Sequence, residues 1–459
     1  MRSYATINPA TGKLVKEFPT MTDAEVQDVL ARSHAAYGSW RQTSLDSRAA
    51  ILRRVAELYL ERTNELAAIV TLEMGKPIMQ AGFEVQLVAS IYSYYAENGA
   101  KFLADEVLDV AGGGEALVRT DPIGAIIGIM PWNFPYYQVA RFAAPNLMLG
   151  NTIILKHARN CPQSALAIEQ IFKDAGLPAD AYINAFATSE QIATMIADPR
   201  IQGVSLTGSE KAGSAVGEVA GRHMKKYVLE LGGSDPFIVL EDADVDSAVG
   251  AAVMGRLGNN GQACTASKRF IVLDDVYDEF VGKFAGVMGT ITTGDPAEQQ
   301  TLLGPLSSAA AVDDLASQVD DAVAKGATVL AGGHRVAGEG AYYEATVLTG
   351  VTPNMRAYSE ELFGPAAVVY RVSSHDEAVR LANDSPFGLG GTVFSKDIEK
   401  AKALGARIDT GMVWINAVTG SAPDLPFGGV KGSGVGRELA AYGISEFANK
   451  KLVRVPVPK

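Results

Sequence analysis

Cys264 ends the stretch Asn259-Asn260-Gly261-Gln262-Ala263-Cys264 and is one of two cysteines in the 459-residue chain. Two asparagines and a glycine just before a thiol read as a turn that presents sulfur into a cleft. A thiolate is a strong nucleophile toward carbonyl carbon, and a local positive potential makes it available at neutral pH. Read alone, such a cysteine is more often a small buried hydrophobe. Glu230 ends a strand just before Gly232-Gly233, where a carboxylate is placed for general-base work at the carboxyl end of an α/β sheet. The alternative is an exposed acid at a domain boundary. In Pro131-Trp132-Asn133-Phe134-Pro135, two prolines and two aromatics frame one amide. A rigid apolar frame of this kind suits a hydrogen-bond donor to a developing oxyanion, or else a turn with core aromatics.

These residues need elements to position them. Residues 22–104 read as helices, with Thr22-Asp23-Ala24-Glu25 as a capping box at the start. From residue 114 the rhythm changes to strands alternating with helices: 152–155, 164–175, 182–186, 189–198, 203–206, 209–223 and 227–229. A second alternating series runs from Asp235 to Ile415. Such alternation implies parallel βαβ units with right-handed crossovers, hence two α/β domains with a break near Gly232-Gly233. Thr207-Gly208-Ser209 follows a strand and opens a helix, where free backbone N–H groups and the dipole attract anions; by itself this is a routine capped helix. No GxGxxG fingerprint occurs. Gly432-Ser433-Gly434-Val435-Gly436-Arg437 comes close but misses a required glycine and lies far from an early βαβ unit.

Composition narrows the class. The net charge of −12 argues against a nucleic-acid partner, which favours a basic patch. No apolar run is long enough to span a bilayer, and Met1 to Thr20 carries no signal pattern. Two cysteines make no disulfide framework, so a reducing, cytoplasmic setting is expected. The five histidines are scattered without metal-ligand spacing, so no metal site is expected. None lies between His223 and His334, which disfavours a cysteine hydrolase with a histidine base near the thiol.

Taken together, the motifs closely resemble the aldehyde dehydrogenase superfamily, most of all its bacterial succinate-semialdehyde dehydrogenases. They are PWNFP at 131–135, Lys156 after a strand, TGS at 207–209, LELGG at 229–233, GQ-x-C at 261–264, E-x-FGP at 361–365 and PFGG-x-K-x-SG-x-GRE at 426–438. The resemblance implies an α/β fold with a Rossmann-like cofactor domain (1–116 and 129–232), a catalytic domain (233–440) and a small β oligomerisation arm (117–128 and 441–459). It implies that Cys264 is the nucleophile, Asn133 the oxyanion donor and Glu230 the base that activates water. Glu438 takes a position often linked to a proton path. Trp132, Lys156, Arg159, Thr207, Gly208, Ser209, Glu361 and Phe363 are expected to bind the cofactor.

Many relatives that use NAD carry Glu where this chain has Arg159. A cation there pairs with a 2′-phosphate, so NADP is expected to be preferred and NAD tolerated. The alternative leaves Arg159 as a solvated surface residue. The expected substrate is a small aldehyde, succinate semialdehyde, with Arg141 and Ser421 on its carboxylate and Phe427, Tyr137 and Trp132 as walls. Some family members have another substrate arginine where this chain has Gly258, and Arg256 nearby is a possible substitute. A broad-specificity enzyme, or one for another ω-carboxy aldehyde such as glutarate semialdehyde, is the other reading. The arm implies a homodimer or homotetramer.

Overall fold

The computed structural model describes residues 3–458; residues 1–2 and 459, at the ends of the ranges read from the sequence, lie outside the described residues. Two large sheets organise the chain. The first has six strands in the order Gly434–Val435, Lys226–Glu230, Ile201–Thr207, Ala125–Met130, Thr152–His157, Tyr182–Asn184. All but the Gly434–Val435 edge run parallel. The apolar run Ala125-Ile126-Ile127-Gly128-Ile129-Met130 is almost fully buried, as expected of a parallel strand covered on both faces. Gly128 is required there: a Cβ would stand 2.6 Å from the ring of Phe142, on the helix that follows.

After Ala125–Met130 the chain builds to one side and then crosses to the other. The crevice between its carboxyl end and that of Ile201–Thr207 is therefore the topological switch point, where α/β sheets bind ligands. Helices Leu45–Glu61, Ile78–Phe102 and Tyr137–Leu149 pack together over this sheet. Val55, Val88, Ile91, Tyr92, Val139 and Leu147 are fully buried among them, and each such side chain contributes about 1.5–3 kcal/mol. The capping box is as expected: Thr22 accepts from the Glu25 N–H, and the Glu25 carboxylate accepts from the Thr22 N–H.

The second sheet has seven strands, in the order Thr328–Ala331, Thr346–Thr349, Ala366–Val372, Ser267–Leu273, Asp235–Val239, Thr392–Phe394, Trp414–Ile415. Cys264, Gly233 and Glu361 all lie just before strands of this sheet. The amino ends of the second sheet thus face the carboxyl ends of the first.

A three-stranded antiparallel sheet stands apart, in the order Ala448–Val455, Glu115–Pro122, Glu106–Val107. Here the sequence reading needs correction. It gave residues 117–128 to the arm, but Ala125–Met130 is the central strand of the six-stranded sheet; Gly124, with φ +145°, turns the chain between the two sheets. Likewise Gly434–Val435 pairs with Lys226–Glu230, so this part of 233–440 returns to the first sheet. Helix Ala440–Glu446 packs on Tyr137–Leu149, and the arm strand begins only at Ala448.

Candidate active site

The turn that carries Cys264 is built as its residue types require. Asn259, Asn260 and Gly261 take φ of 56°, 57° and 75° in succession, a left-handed run that asparagine and glycine tolerate best. A Cβ at Gly261 would meet the Gly364 carbonyl at 2.4 Å. Asn260 is fully buried: its amide donates to the Gly75 and Pro305 carbonyls, both at 2.9 Å, and accepts from Gly304 N–H at 2.7 Å. Beneath the turn lies a residue the sequence reading missed. Lys268 Nζ donates to the carbonyls of Cys264 (2.8 Å), Ala263 (3.0 Å) and Ala266 (3.3 Å) and pairs with Glu361 Oε1 at 3.1 Å. Its only sequence signal is a pair of cations, Lys268-Arg269, opening an otherwise apolar strand that is buried throughout.

A cavity of about 270 Å³ occupies the switch-point crevice, lined by Trp132, Asn133, Thr207, Gly208, Ser209, Cys264, Glu361 and Phe363 among others. The structure therefore brings the thiol, the framed amide and the TGS turn to one cleft. Asn133 Nδ2 donates to the Gln262 carbonyl at 3.1 Å, which leaves its second amide hydrogen for a ligand. Trp132 and Phe363 meet edge to face, with ring centroids 5.7 Å apart. Ser209 caps helix Glu210–Arg222 through the Ala212 N–H.

Glu230 is buried at the end of its strand, opposite Thr207 on one side and Gly434 on the other. Neither carboxyl oxygen has a hydrogen-bond partner among the described residues. A Cβ on Gly428 would stand 2.7 Å from its Oε1, so the PFGG glycine makes room for it. Burial pushes the Glu230 carboxyl well above the usual range, despite the attraction of Arg141. Burial likewise pushes the Cys264 thiol up to about 12, opposed by Arg141 and Lys268 and reinforced by Glu361 and Glu230. Burial thus outweighs the two cations, each of which is also paired, Arg141 with Glu438 and Lys268 with Glu361.

Arg141, expected to bind the substrate carboxylate, is already engaged within the protein. It is fully buried and paired through Nε with Glu438; Nη1 and Nη2 donate to the Tyr137 hydroxyl and Thr207 Oγ1, both at 3.3 Å. Its guanidinium also lies 4.2 Å from the Phe427 ring centroid. Phe427 and Glu438 exchange backbone hydrogen bonds at 2.8 Å, which explains why the PFGG and GRE segments belong together. The chain of groups continues outward, since the Tyr137 hydroxyl lies 2.7 Å from Ser421 Oγ.

A second cavity, about 500 Å³ and mostly apolar, lies across the nucleophile turn and is lined by Phe134, Gly258, Ala263, Thr265 and Thr419 among others. A Cβ at Gly258 would meet nothing within 4 Å. Arg256 does not fill the gap; it is buried and donates to the Gly261 carbonyl at 2.6 Å, so the substitution suggested from sequence fails.

On the carboxyl side of the first sheet, Lys156 lies near the end of strand Thr152–His157 and Arg159 two residues beyond it. Neither forms an ion pair among the described residues, although Arg159 acts on Glu190 at longer range. Burial and the neighbouring Arg159 lower Lys156 to about 8. Two adjacent, unneutralised cations fit a phosphate dianion. Among the described residues, no group of three or more acidic, cysteine or histidine side chains could hold a metal ion.

Known proteins resemble this chain over nearly its whole length. The model of the aldehyde dehydrogenase family matches residues 1–453. The succinate-semialdehyde dehydrogenase [NADP(+)] of Deinococcus radiodurans is 58% identical over 453 residues, 99% of this chain and 95% of that protein. Its namesake "1" from Mycobacterium ulcerans is 47% identical, over 98% and 99%. The crystal structure of succinic semialdehyde dehydrogenase from Streptococcus pyogenes with NADP+ superposes with a TM-score of 0.97 at 44% identity, covering 99% of this chain and all of that one. With Cys264 and Asn133 in the cavity at the switch point of the fold, Glu230 at the strand end beside it, and a family match over residues 1–453, this chain belongs to the aldehyde dehydrogenase family.

Proposed function

We propose that the protein oxidises succinate semialdehyde to succinate and prefers NADP to NAD. The observation that carries this reading is one cleft lined by Cys264 and Asn133, with the buried Glu230 at the strand end beside Thr207 and the cations Lys156 and Arg159 on the carboxyl side of the same sheet. The relatives, succinate-semialdehyde dehydrogenases named for or solved with NADP+, support both substrate and cofactor. Lys156 and Arg159 would hold the 2′-phosphate, the Ser209 end of its helix the pyrophosphate, and Glu361 and Phe363 the nicotinamide end, with Trp132, Thr207 and Gly208 as walls. When bound, NADP supplies the acceptor for the hydride that leaves the aldehyde carbon.

The chain's own residues do the rest. Cys264 gives its proton to solvent water and its sulfur adds to the carbonyl carbon: a C–S bond forms and the π pair moves onto oxygen. Asn133 Nδ2 and the Cys264 N–H hold that oxyanion. Glu230 takes the proton of the water that attacks the resulting thioester, and the acid leaves as sulfur recovers its electron pair. The substrate carboxylate is held by Arg141 Nη1, the Tyr137 hydroxyl and Ser421 Oγ, which already form a chain of short contacts. With Glu438 opposing Arg141 and Gly258 in place of a second cation, this hold is modest.

The large apolar cavity at Gly258 favours a second reading, a tolerance for longer or neutral aldehydes. Reduced-nicotinamide absorbance with a panel of aldehydes and both cofactors separates the two. Succinate semialdehyde should exceed neutral aldehydes of like length by at least about tenfold in kcat/KM, the scale of one charge-assisted contact. Equal values would leave the broader reading standing, and activity retained in Cys264→Ser would overturn the mechanism.

The arm supports a homodimer or homotetramer by strand addition at its free edge. The free thiols Cys161 and Cys264 accord with a reducing, cytoplasmic setting, and no helix among the described residues is long and apolar enough to cross a membrane.

A further inference from the structure

Two turns carry the groups assigned to the reaction, one with Asn133 and one with Cys264. Both are tied to the first turns of the same helix, Ile78–Phe102. Glu84 Oε1 accepts the backbone N–H groups of Tyr136 at 2.9 Å and Tyr137 at 3.1 Å, donors left free where helix Tyr137–Leu149 begins. Its Oε2 pairs with the Lys76 ammonium, and both side chains are at most 1% exposed. Lys76 Nζ in turn stands 3.8 Å from the centroid of Phe134, the neighbour of Asn133. One helical turn before Glu84, Gln80 Oε1 accepts the Asn259 N–H at 2.6 Å. The Asn259 amide then donates to the Asn133 carbonyl at 2.8 Å and the Gln262 carbonyl at 3.0 Å. The same Gln262 carbonyl accepts from Asn133 Nδ2.

A fully buried ion pair is a weak source of stability, because desolvation offsets most of its Coulomb gain. This one does something geometric instead. It grips the backbone of the Asn133 turn from the helix that also grips the Cys264 turn. We propose that Glu84, with Lys76 as its counter-ion and Gln80 as its companion, is a positioning residue of the oxyanion site. It fixes the distance and angle between the free Nδ2 hydrogen of Asn133 and the sulfur of Cys264. Donors to an oxyanion act only within a few tenths of an ångström of their proper place. The inference rests on the assignment of Asn133 and Cys264 above.

The test is a double-mutant cycle on the full chain with succinate semialdehyde and saturating NADP. Glu84→Gln keeps an acceptor for the two N–H groups but removes the charge that anchors it to Lys76. It should lower kcat by about tenfold to a hundredfold, the scale of a misplaced catalytic group, with aldehyde KM changed less than about twofold. Alkylation of Cys264 by iodoacetamide needs no oxyanion donor and should change less than about twofold. In an Asn133→Ala background, where the donor is already gone, Glu84→Gln should cost less than about twofold more. The same kcat loss in both backgrounds, or an equal loss in alkylation, would overturn the proposal. If Glu84→Gln does not fold, Gln80→Ala enters the same cycle with the same criteria. Wild-type kcat in Asn133→Ala alone would instead show that the oxyanion assignment fails, and the clamp's purpose with it.

Discussion

Cys264 is held in reserve as a thiol. Burial of the sulfur pushes its pKa up to about 12, although the residue is only half-buried at the cleft, so the thiol form predominates at neutral pH. A raised thiol pKa means that reactivity grows as pH rises toward it. Iodoacetamide alkylation of the cofactor-free enzyme should therefore increase about tenfold per pH unit between about pH 6 and about pH 9; a plateau below about pH 8 would show a thiolate already formed. On the carboxyl side of the first sheet, Arg159→Glu replaces a cation that has no ion-pair partner among the described residues with an acceptor for ribose hydroxyls. The NADP-to-NAD ratio of kcat/KM should fall by at least about tenfold, the worth of one charge-assisted hydrogen bond. An unchanged ratio would return Arg159 to the solvent.

At the scale of elements, the left-handed Asn259-Asn260-Gly261 run matters as much as the sulfur it presents. Asn260 satisfies three backbone groups from two other segments. Asn260→Ala strands them in the interior at about 1–3 kcal/mol each. Urea unfolding should show a loss of at least about 3 kcal/mol, and a loss under about 1 kcal/mol would mean that the turn rebuilds its bonds elsewhere. Asn-Asn-Gly before a thiol was readable as a turn because the left-handed preference is local. The Lys268 ammonium beneath it was not readable, because three carbonyls converge on it only once the turn has closed over the strand.

On the scale of the whole molecule, the three-stranded arm is the exposed feature. Ala448–Val455 leaves one edge unpaired, and Leu452 and Val455 are more than half exposed on it. Such an edge is a template for another chain. Analytical ultracentrifugation should find the full chain as two or four copies and a variant lacking residues 448–459 as one copy. Assembly unchanged by the truncation would assign the interface elsewhere.

The chain's motifs, taken in order, determined the family and the alternation of strands and helices, and pointed to the cysteine and the amide that line one cleft. Those features are local: a capping box, a left-handed asparagine pair and a buried apolar strand are each written in a few neighbouring residues. The N-terminal hairpin Tyr4–Asn8 with Lys13–Phe18 had no counterpart in the sequence reading, since short half-exposed strands carry little pattern. Only the tertiary structure decided that Ala125–Met130 leaves the arm for the centre of a sheet, because sheet membership is a matter of distant pairing. Only it decided where the buried charges go. Arg141 meets Glu438, Lys268 meets Glu361 and Lys76 meets Glu84, and each pairing sets the potential or the geometry at Cys264. A charged residue announces its type in the sequence, but its partner is chosen by the fold that buries it.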